Sequence, residues 1–314
     1  MNVASDVFFN RDRYWDDHPI ILRNAVLPTR PLKDALARVV DMAAKARGCA
    51  AFWANPLTGK SSCILAIERV IRSRFPEAGI VSLEAVKHDG PDSEGRLLSS
   101  ILEEIDFAHP IHRDLAGKRH QVKRSLLAMS GTVRRIFIII DEAQEVTNAE
   151  YGWLKGVINR LSKVGVKVSI IQFGQSELKD RKDELKRDGR SDLAVRFLKG
   201  LRQFRGLRSK ADLDVICEAI DAHSEYPPGS GWTYTRSLFP KAYAAGFRFA
   251  GLTPSIWGKI NDLIPRREIS GGLSMSLIAD FFGELCKLYR KNDASCLVVS
   301  DDAIEKALKQ ALLD

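Results

Sequence analysis

Residues 134–144, RRIFIIIDEAQ, constrain the fold more than any other segment. Five apolar residues run from 136 to 140 without a polar break. A half-exposed strand would alternate, and a surface helix would show polar positions at helical spacing. An unbroken run closed by acidic residues predicts a central strand covered on both faces. Such a strand needs neighbouring strands on either side and helices above and below.

The flanking sequence supplies both. Short apolar stretches at 49–54 (CAAFWA), 79–86 (GIVSLEAV) and 166–174 (VKVSIIQFG) predict further strands. Between them lie helical patterns at 61–75, 93–107, 118–131 and 148–165, and another, 31–48, precedes the first strand. Pro31 suits a first helical turn, Gly48 and Gly131 can close helices, and SEGRLL at 93–98 comes close to a capping box. Strands alternating with helices predict an α/β domain with a mostly parallel sheet flanked by helices.

The character changes near residue 210. ADLDVICEAIDAH, TRSLFPKAYAAGF, TPSIWGKINDLI, LSMSLIADFFGELCKLYR and SDDAIEKALKQALL all predict helices, and YPPGSGW (226–232) is a breaker-rich connection. Three parts follow: an irregular arm over 1–30 with Phe8, Phe9, Tyr14 and Trp15; a nucleotide-binding domain over 31–210; and a C-terminal helical lid and helical extension over 211–314.

Composition bounds the remaining classes. The chain has 314 residues, 45% apolar and 28% charged, ordinary for a folded soluble protein. No apolar run is long enough to cross a bilayer, and the first residues lack an apolar secretory core, so no export, no membrane partner and a cytoplasmic location are expected. Cys49, Cys63, Cys217, Cys286 and Cys296 are scattered without a CxxC pair, which argues against a metal cluster or disulfide framework. His88, His109, His112 and His120 lack ligand spacing and read as loop or surface histidines. The net charge is +8. Most of the excess lies between 179 and 210, with 12 Lys/Arg against 5 Asp/Glu, and it suggests an anionic partner.

The chemistry begins at 51–66, AFWANPLTGKSSCILA, where a strand leads through Gly-Lys-Ser into a helix. Phosphate binding needs backbone N–H groups at a helix N-terminus, a flexible turn and a cation. Gly59 permits close backbone approach, Lys60 would reach the β- and γ-phosphates, and Ser61 offers a hydroxyl to Mg²⁺. Asn55, Pro56, Thr58 and Ser62 complete the candidate cradle. The full pattern places a glycine at 54, where this chain has Ala54; Asn55-Pro56 supply the turn character. Alone, the tripeptide could be an ordinary strand-to-helix turn.

The acidic pair about eighty residues later changes that balance. Ligands of an open parallel sheet bind beyond the carboxyl ends of its strands. Asp141 is placed to hold Mg²⁺ through water, and Glu142 to orient or activate the attacking water. Together the loop and the pair predict an ATP site. Past the strand at 166–174, Gln175 is the first candidate for a γ-phosphate sensor and Gln172 the second, a strand-end turn being the equal alternative for either. Arg190 and Arg196 are candidates for an arginine reaching the γ-phosphate from a neighbouring subunit, although most of the basic stretch reads as a solvated helix face.

In this order, TGKSS, IFIIIDEAQ, FGQSEL and the arginines after them resemble the AAA+ ATPases. The resemblance covers roughly residues 20 to 210, with the lid continuing to about 265. DEAQ followed by a strand and GQSEL is most similar to the transposition regulators of the TniB, TnsC and MuB group. It implies an AAA+ (P-loop) fold and Mg²⁺-dependent ATP hydrolysis. It also implies a homo-oligomer, ring or helical filament, on double-stranded DNA, with a transposase and a target-selector protein as partners. Two departures stand out, Ala54, and Ser255 where many AAA+ proteins carry a sensor arginine, and they point to slow hydrolysis.

The resemblance also implies a DNA-facing surface on the ATPase domain. Lys118, Arg119, Lys123 and Arg124, spaced so as to share one helix face, are its candidates, with a solvated face as the even alternative. A secretion-associated ATPase, a replication-initiator-like ATPase or a nucleotide-dependent adaptor with little hydrolysis are the rival readings. The initiator reading predicts a winged helix, for which residues 266–314 look too short and too purely helical.

Overall fold

The protein is described from a computed structural model covering residues 11–45 and 48–313. Phe8 and Phe9 of the predicted arm, and the predicted end of the first long helix at 46–47, lie outside the described residues. In chain order the elements begin with α1 (Arg11–Trp15), α2 (Arg30–Ala44), β1 (Gly48–Trp53), α3 (Lys60–Arg74) and β2 (Gly79–Glu84). They continue with α4 (Glu94–Glu104), α5 (Leu115–Met129), β3 (Arg135–Asp141), α6 (Asn148–Lys163), β4 (Lys167–Gly174), α7 (Leu178–Arg187), α8 (Ser191–Leu198) and β5 (Arg202–Gln203). The remaining helices are α9 (Lys210–Ala222), α10 (Tyr234–Leu238), α11 (Pro240–Ala244), α12 (Thr253–Leu263), α13 (Arg266–Gly271), α14 (Met275–Leu288) and α15 (Asp301–Ala311).

These elements form two compact units. One comprises residues 34–56 and 60–204; the other comprises the described arm to Lys33, residues 57–59 and everything from Arg205 onward. In the first unit five parallel strands lie in the order β2-β3-β4-β1-β5. β3 sits inside the sheet, and all five residues from Ile136 to Ile140 are buried. The uninterrupted apolar run is thus explained by cover on both faces. β4 is buried from Val168 to Gly174. β2 lies at the edge and alternates buried and half-buried positions, the pattern of a strand covered mainly on one face. Phe52 of β1 and Phe173 of β4 stack at 4.9 Å with 19° between their planes, and Phe204 meets Phe173 edge-on at 5.8 Å.

Helix boundaries follow local chemistry, with one surprise. Thr147 and Glu150 form a reciprocal capping box at the start of α6. The box-like sequence at the start of α4 does not behave so: the Ser93 side chain makes no capping bond. The Glu94 carboxylate instead engages the Arg119 guanidinium of α5, a stronger charge-assisted partner. The two-residue β5 was not anticipated, being too short for a periodic signal.

The second unit is helical. Its core gathers Trp15 of α1 with Leu213, Phe239, Phe249, Ile256, Phe282 and Ile304 among others. The buried Asp221 carboxylate caps the turn at 249–250, accepting from the backbone N–H of Phe249 at 3.0 Å and of Ala250 at 2.8 Å. Residues 235–247, expected as one helix, are broken into α10 and α11 at Phe239. Pro240 has no N–H to donate and disfavours helical torsions in the residue before it, and Phe239 adopts φ −134°, ψ 66°. Among the described residues no helix is long and apolar enough to cross a membrane.

Candidate nucleotide site

The carboxyl edge of the sheet collects the candidate residues. β1 and β4 stay paired through Trp53 and Gly174, and the Ala54 N–H then donates to the Gly174 carbonyl at 2.9 Å. Ala54 has no exposed surface, so its methyl group packs against the sheet edge where the pattern calls for glycine. The loop after it turns at Leu57 (φ +59°) and Gly59 (φ +89°). At Gly59 that torsion favours glycine over any residue with a side chain. Lys60 opens the 15-residue helix α3, so its N-terminal backbone and its ammonium lie at the end of a helix dipole.

Lys60 is buried, at 9% exposure, a costly place for an ammonium unless it is paired. Its Nζ lies 2.9 Å from Glu142 Oε1. Glu142 follows the last residue of β3 and takes a left-handed conformation, φ 47° and ψ 39°. That turn lets its own N–H donate to Asp141 Oδ1 at 2.9 Å while its side chain swings to Lys60. Two amides complete the arrangement: Gln144 Nε2 donates to Glu142 Oε2 at 2.7 Å, and Gln175 Nε2 to the same oxygen at 3.1 Å. Burial works to raise the Glu142 carboxyl, but the hydrogen bonds from Lys60, Gln144 and Gln175 outweigh it and hold it below its ordinary range. Asp141 moves the other way, raised first by burial and also by the adjacent Glu142 charge, against the Glu142 N–H. Neighbouring carboxylates thus acquire opposite tendencies, a pattern associated with functional sites.

No protein-family model matches the chain, and no curated protein matches it. Solved structures do match in fold. The Aeropyrum pernix ORC2 protein, solved with ADPNP and ADP, is 12% identical with a TM-score of 0.57, over 93% of this chain and 71% of that one. CDC6P from Pyrobaculum aerophilum is 12% identical with a TM-score of 0.53, over 86% of this chain and 64% of that one. The Aeropyrum pernix ORC1 protein in complex with DNA is 13% identical with a TM-score of 0.50, over 92% and 68%. The fold is that of the AAA+ ATPases. At these identities the likeness shows the fold alone.

Within the AAA+ sheet, Lys60, Asp141, Glu142 and Gln175 come together from three separate segments. Ser61 is exposed in the first turn of α3, and Ser62 is half-buried beside it. Thr58 is buried, whereas Asn55 and Pro56 are exposed. Gln172 lies apart, fully buried in β4. It accepts from Tyr151 Oη at 2.8 Å and donates to the Phe197 carbonyl at 2.9 Å, so it joins α6 and α8 to the sheet. Arg196 donates to Asn159 at 2.9 Å, and Arg190 lies 3.9 Å from Asp192. Neither makes a hydrogen bond to the carboxylates of its own chain's site.

The basic face of α5 is divided. Lys118 donates to the Gly95 carbonyl at 3.1 Å and to Ser99 Oγ at 2.7 Å, and Arg119 pairs with Glu94. Arg124, one and a half turns on, is exposed, and Lys123 is half-buried. Sequence reasoning passed over two residues near the site. Gln144 is buried and hydrogen-bonded to Glu142, and Arg181 donates to the Gln144 carbonyl at 3.1 Å. Gln144 lies in a short 3₁₀ turn, Ala143–Glu145, which no apolar period announces.

Proposed function

We propose that the chain is a Mg²⁺-dependent ATPase that binds double-stranded DNA as a homo-oligomer. The observation that carries this reading is the Glu142 carboxylate, held by Lys60 on one oxygen and by Gln144 and Gln175 on the other. Lys60 would engage the β- and γ-phosphates, with the loop backbone from Gly59 onward turned toward them. Glu142 would orient the attacking water and accept its proton, and Gln175 would sense the γ-phosphate. Arg190 or Arg196 of a neighbouring subunit would neutralise charge on the transferred group. Ser61 Oγ and, through water, Asp141 offer the hard oxygen donors that suit Mg²⁺. When bound, that ion neutralises charge on the phosphate oxygens.

The DNA partner is supported by the similarity in fold to a protein solved in complex with DNA and by the chain's net charge of +8. Lys123 and Arg124 are the cations of α5 best placed for phosphate contact, beside the more committed Lys118 and Arg119. The DEAQ and GQSEL segments favour a transposition regulator of the TniB, TnsC and MuB group, with a transposase and a target-selector protein as partners. A replication-initiator-like role fits at least as well, since the structures of similar fold are ORC and CDC6 proteins.

Electron microscopy with double-stranded DNA, with and without a slowly hydrolysed ATP analogue, tests the reading. ATP-dependent rings or filaments on DNA are expected. Binding and assembly indifferent to nucleotide would overturn it. Stimulation of strand transfer by a transposase supplied in trans separates the two roles.

A further inference from the structure

Gln144 bridges two strand ends around this site and was assigned no role above. Its side chain is 8% exposed. Oε1 accepts the backbone N–H of Gln175 at 2.8 Å, and Nε2 donates to Glu142 Oε2 at 2.7 Å. Its carbonyl accepts from Arg181 of α7. One neutral amide thus ties the glutamate at the end of β3 to the turn at the end of β4. The neighbouring strand makes room for it: a Cβ at Gly174 would stand 2.9 Å from Gln144 Oε1 and 3.1 Å from its backbone N. The close approach needs a residue without a side chain at 174.

We propose that Gln144 is the positioning residue for Glu142, fixing which carboxylate oxygen faces Lys60 and which direction the carboxylate keeps when Lys60 engages phosphate. The inference rests on the ATPase reading above. The chemistry of position 144 is narrow. The side chain must accept from one N–H and donate to Glu142 at the same time, with Glu145 Oε1 a second acceptor at 3.3 Å, which an amide of this length does. Glutamate would keep the acceptor and lose the donor, setting a third carboxylate against Glu142 and Glu145. Methionine fills the volume and makes neither bond.

The consequence is a competition. Glu142 and a phosphate oxygen seek the same ammonium. Gln144 and Gln175 hold Glu142 Oε2, which leaves Oε1 directed at Lys60. When phosphate takes Lys60, the two amides still hold Oε2, so the carboxylate keeps its aim. Loss of the Gln144 donor therefore acts twice: it frees Lys60 for phosphate, and it lets the general base wander. Removing one group makes nucleotide binding tighter and turnover slower, the signature of a lost ground-state constraint together with lost orientation.

The test uses the full chain carrying Gln144→Met, Gln144→Glu or Glu142→Gln, with thermal unfolding as the check on folding. For Gln144→Met, kcat is expected to fall roughly tenfold while KM for ATP and Kd for a slowly hydrolysed ATP analogue fall about threefold. Gln144→Glu, nearly isosteric and still able to accept from Gln175, guards against a misfolded methionine variant, and its kcat is expected to fall at least as far. An unchanged kcat, or a lower kcat with unchanged or weaker analogue binding, overturns the positioning role. Glu142→Gln separates the two readings. If the wild type itself turns over no ATP, the ATPase reading fails; if Glu142→Gln turns over ATP like the wild type, the role of Glu142 fails and that of Gln144 with it. If it is inactive while both Gln144 variants behave as wild type, only the role of Gln144 fails.

Discussion

Lys60 Nζ and Glu142 Oε1 stand 2.9 Å apart although 82 positions separate them in the chain. The contact joins the first turn of α3 to the end of β3, the place where the proposed function would bring phosphate and water together. Lys60→Met is expected to reduce kcat/KM for ATP by about 100-fold or more, on the scale of removing one preorganised charge from a transition state. Steady-state turnover with a parallel equilibrium binding assay checks it, and wild-type binding by the variant would count against the site.

The aromatic pair beneath the site makes a stability prediction. Phe173 is fully buried between Phe52 and Phe204. Phe173→Ala should destabilise the protein by about 3–5 kcal/mol, from lost burial plus the cavity left behind. Urea unfolding at neutral pH reads this directly, and a shift below about 1 kcal/mol would mean that the neighbouring rings collapse into the space.

His18 makes a prediction about acid. It is buried, its Nδ1 accepts from the Ile20 N–H at 3.1 Å, and its Nε2 lies 3.0 Å from Ser237 Oγ. Tyr226 and Tyr234 stand edge-on to the ring at 4.8 and 5.0 Å. A second ring proton would face the Ile20 N–H, and burial pushes the imidazole down to about 3. The unfolded chain therefore binds more protons as pH falls below the ordinary histidine value, so stability is present at neutral pH and is lost on acidification. From pH 7 to pH 5 the stability given up is about 2 kcal/mol. Urea midpoints of wild type and His18→Gln should converge by that amount over the same interval, whereas parallel curves would place the acid sensitivity elsewhere.

The basic face of α5 predicts a salt signature. If Lys123 and Arg124 bind DNA phosphates, replacing both by glutamate should weaken duplex binding regardless of sequence. The slope of log affinity against log salt should become shallower by about one for each phosphate no longer neutralised. Fluorescence anisotropy at several salt concentrations measures it. An unchanged slope would move the DNA surface off this helix.

Much of this architecture was legible in the chain. The Ile136–Ile140 run announced a covered strand because burial on both faces leaves no position for a polar side chain. Lys60, Ser61, Asp141 and Glu142 stood out as candidates because phosphate chemistry draws on these groups where strands end and helices begin, and the structure brings Lys60 against Glu142. The sequence ranked Gln175 ahead of Gln172 but carried no signal for how differently the two sit. They differ by three residues, yet one lies inside β4 and the other just beyond it. The direction of a side chain at a strand end depends on where pairing stops, and the partner strand decides that.

Sequence alone determined the alternation of strands and helices and the residue types offered at the strand ends, since these follow from local periodicity and from the chemistry of single side chains. Only the tertiary structure decided which of those groups meet. The bond between Gln144 and Glu142, the capture of Arg119 by Glu94 and the burial of His18 all depend on distances across the fold. No local pattern encodes them, because hydrogen-bond partners are assigned by packing.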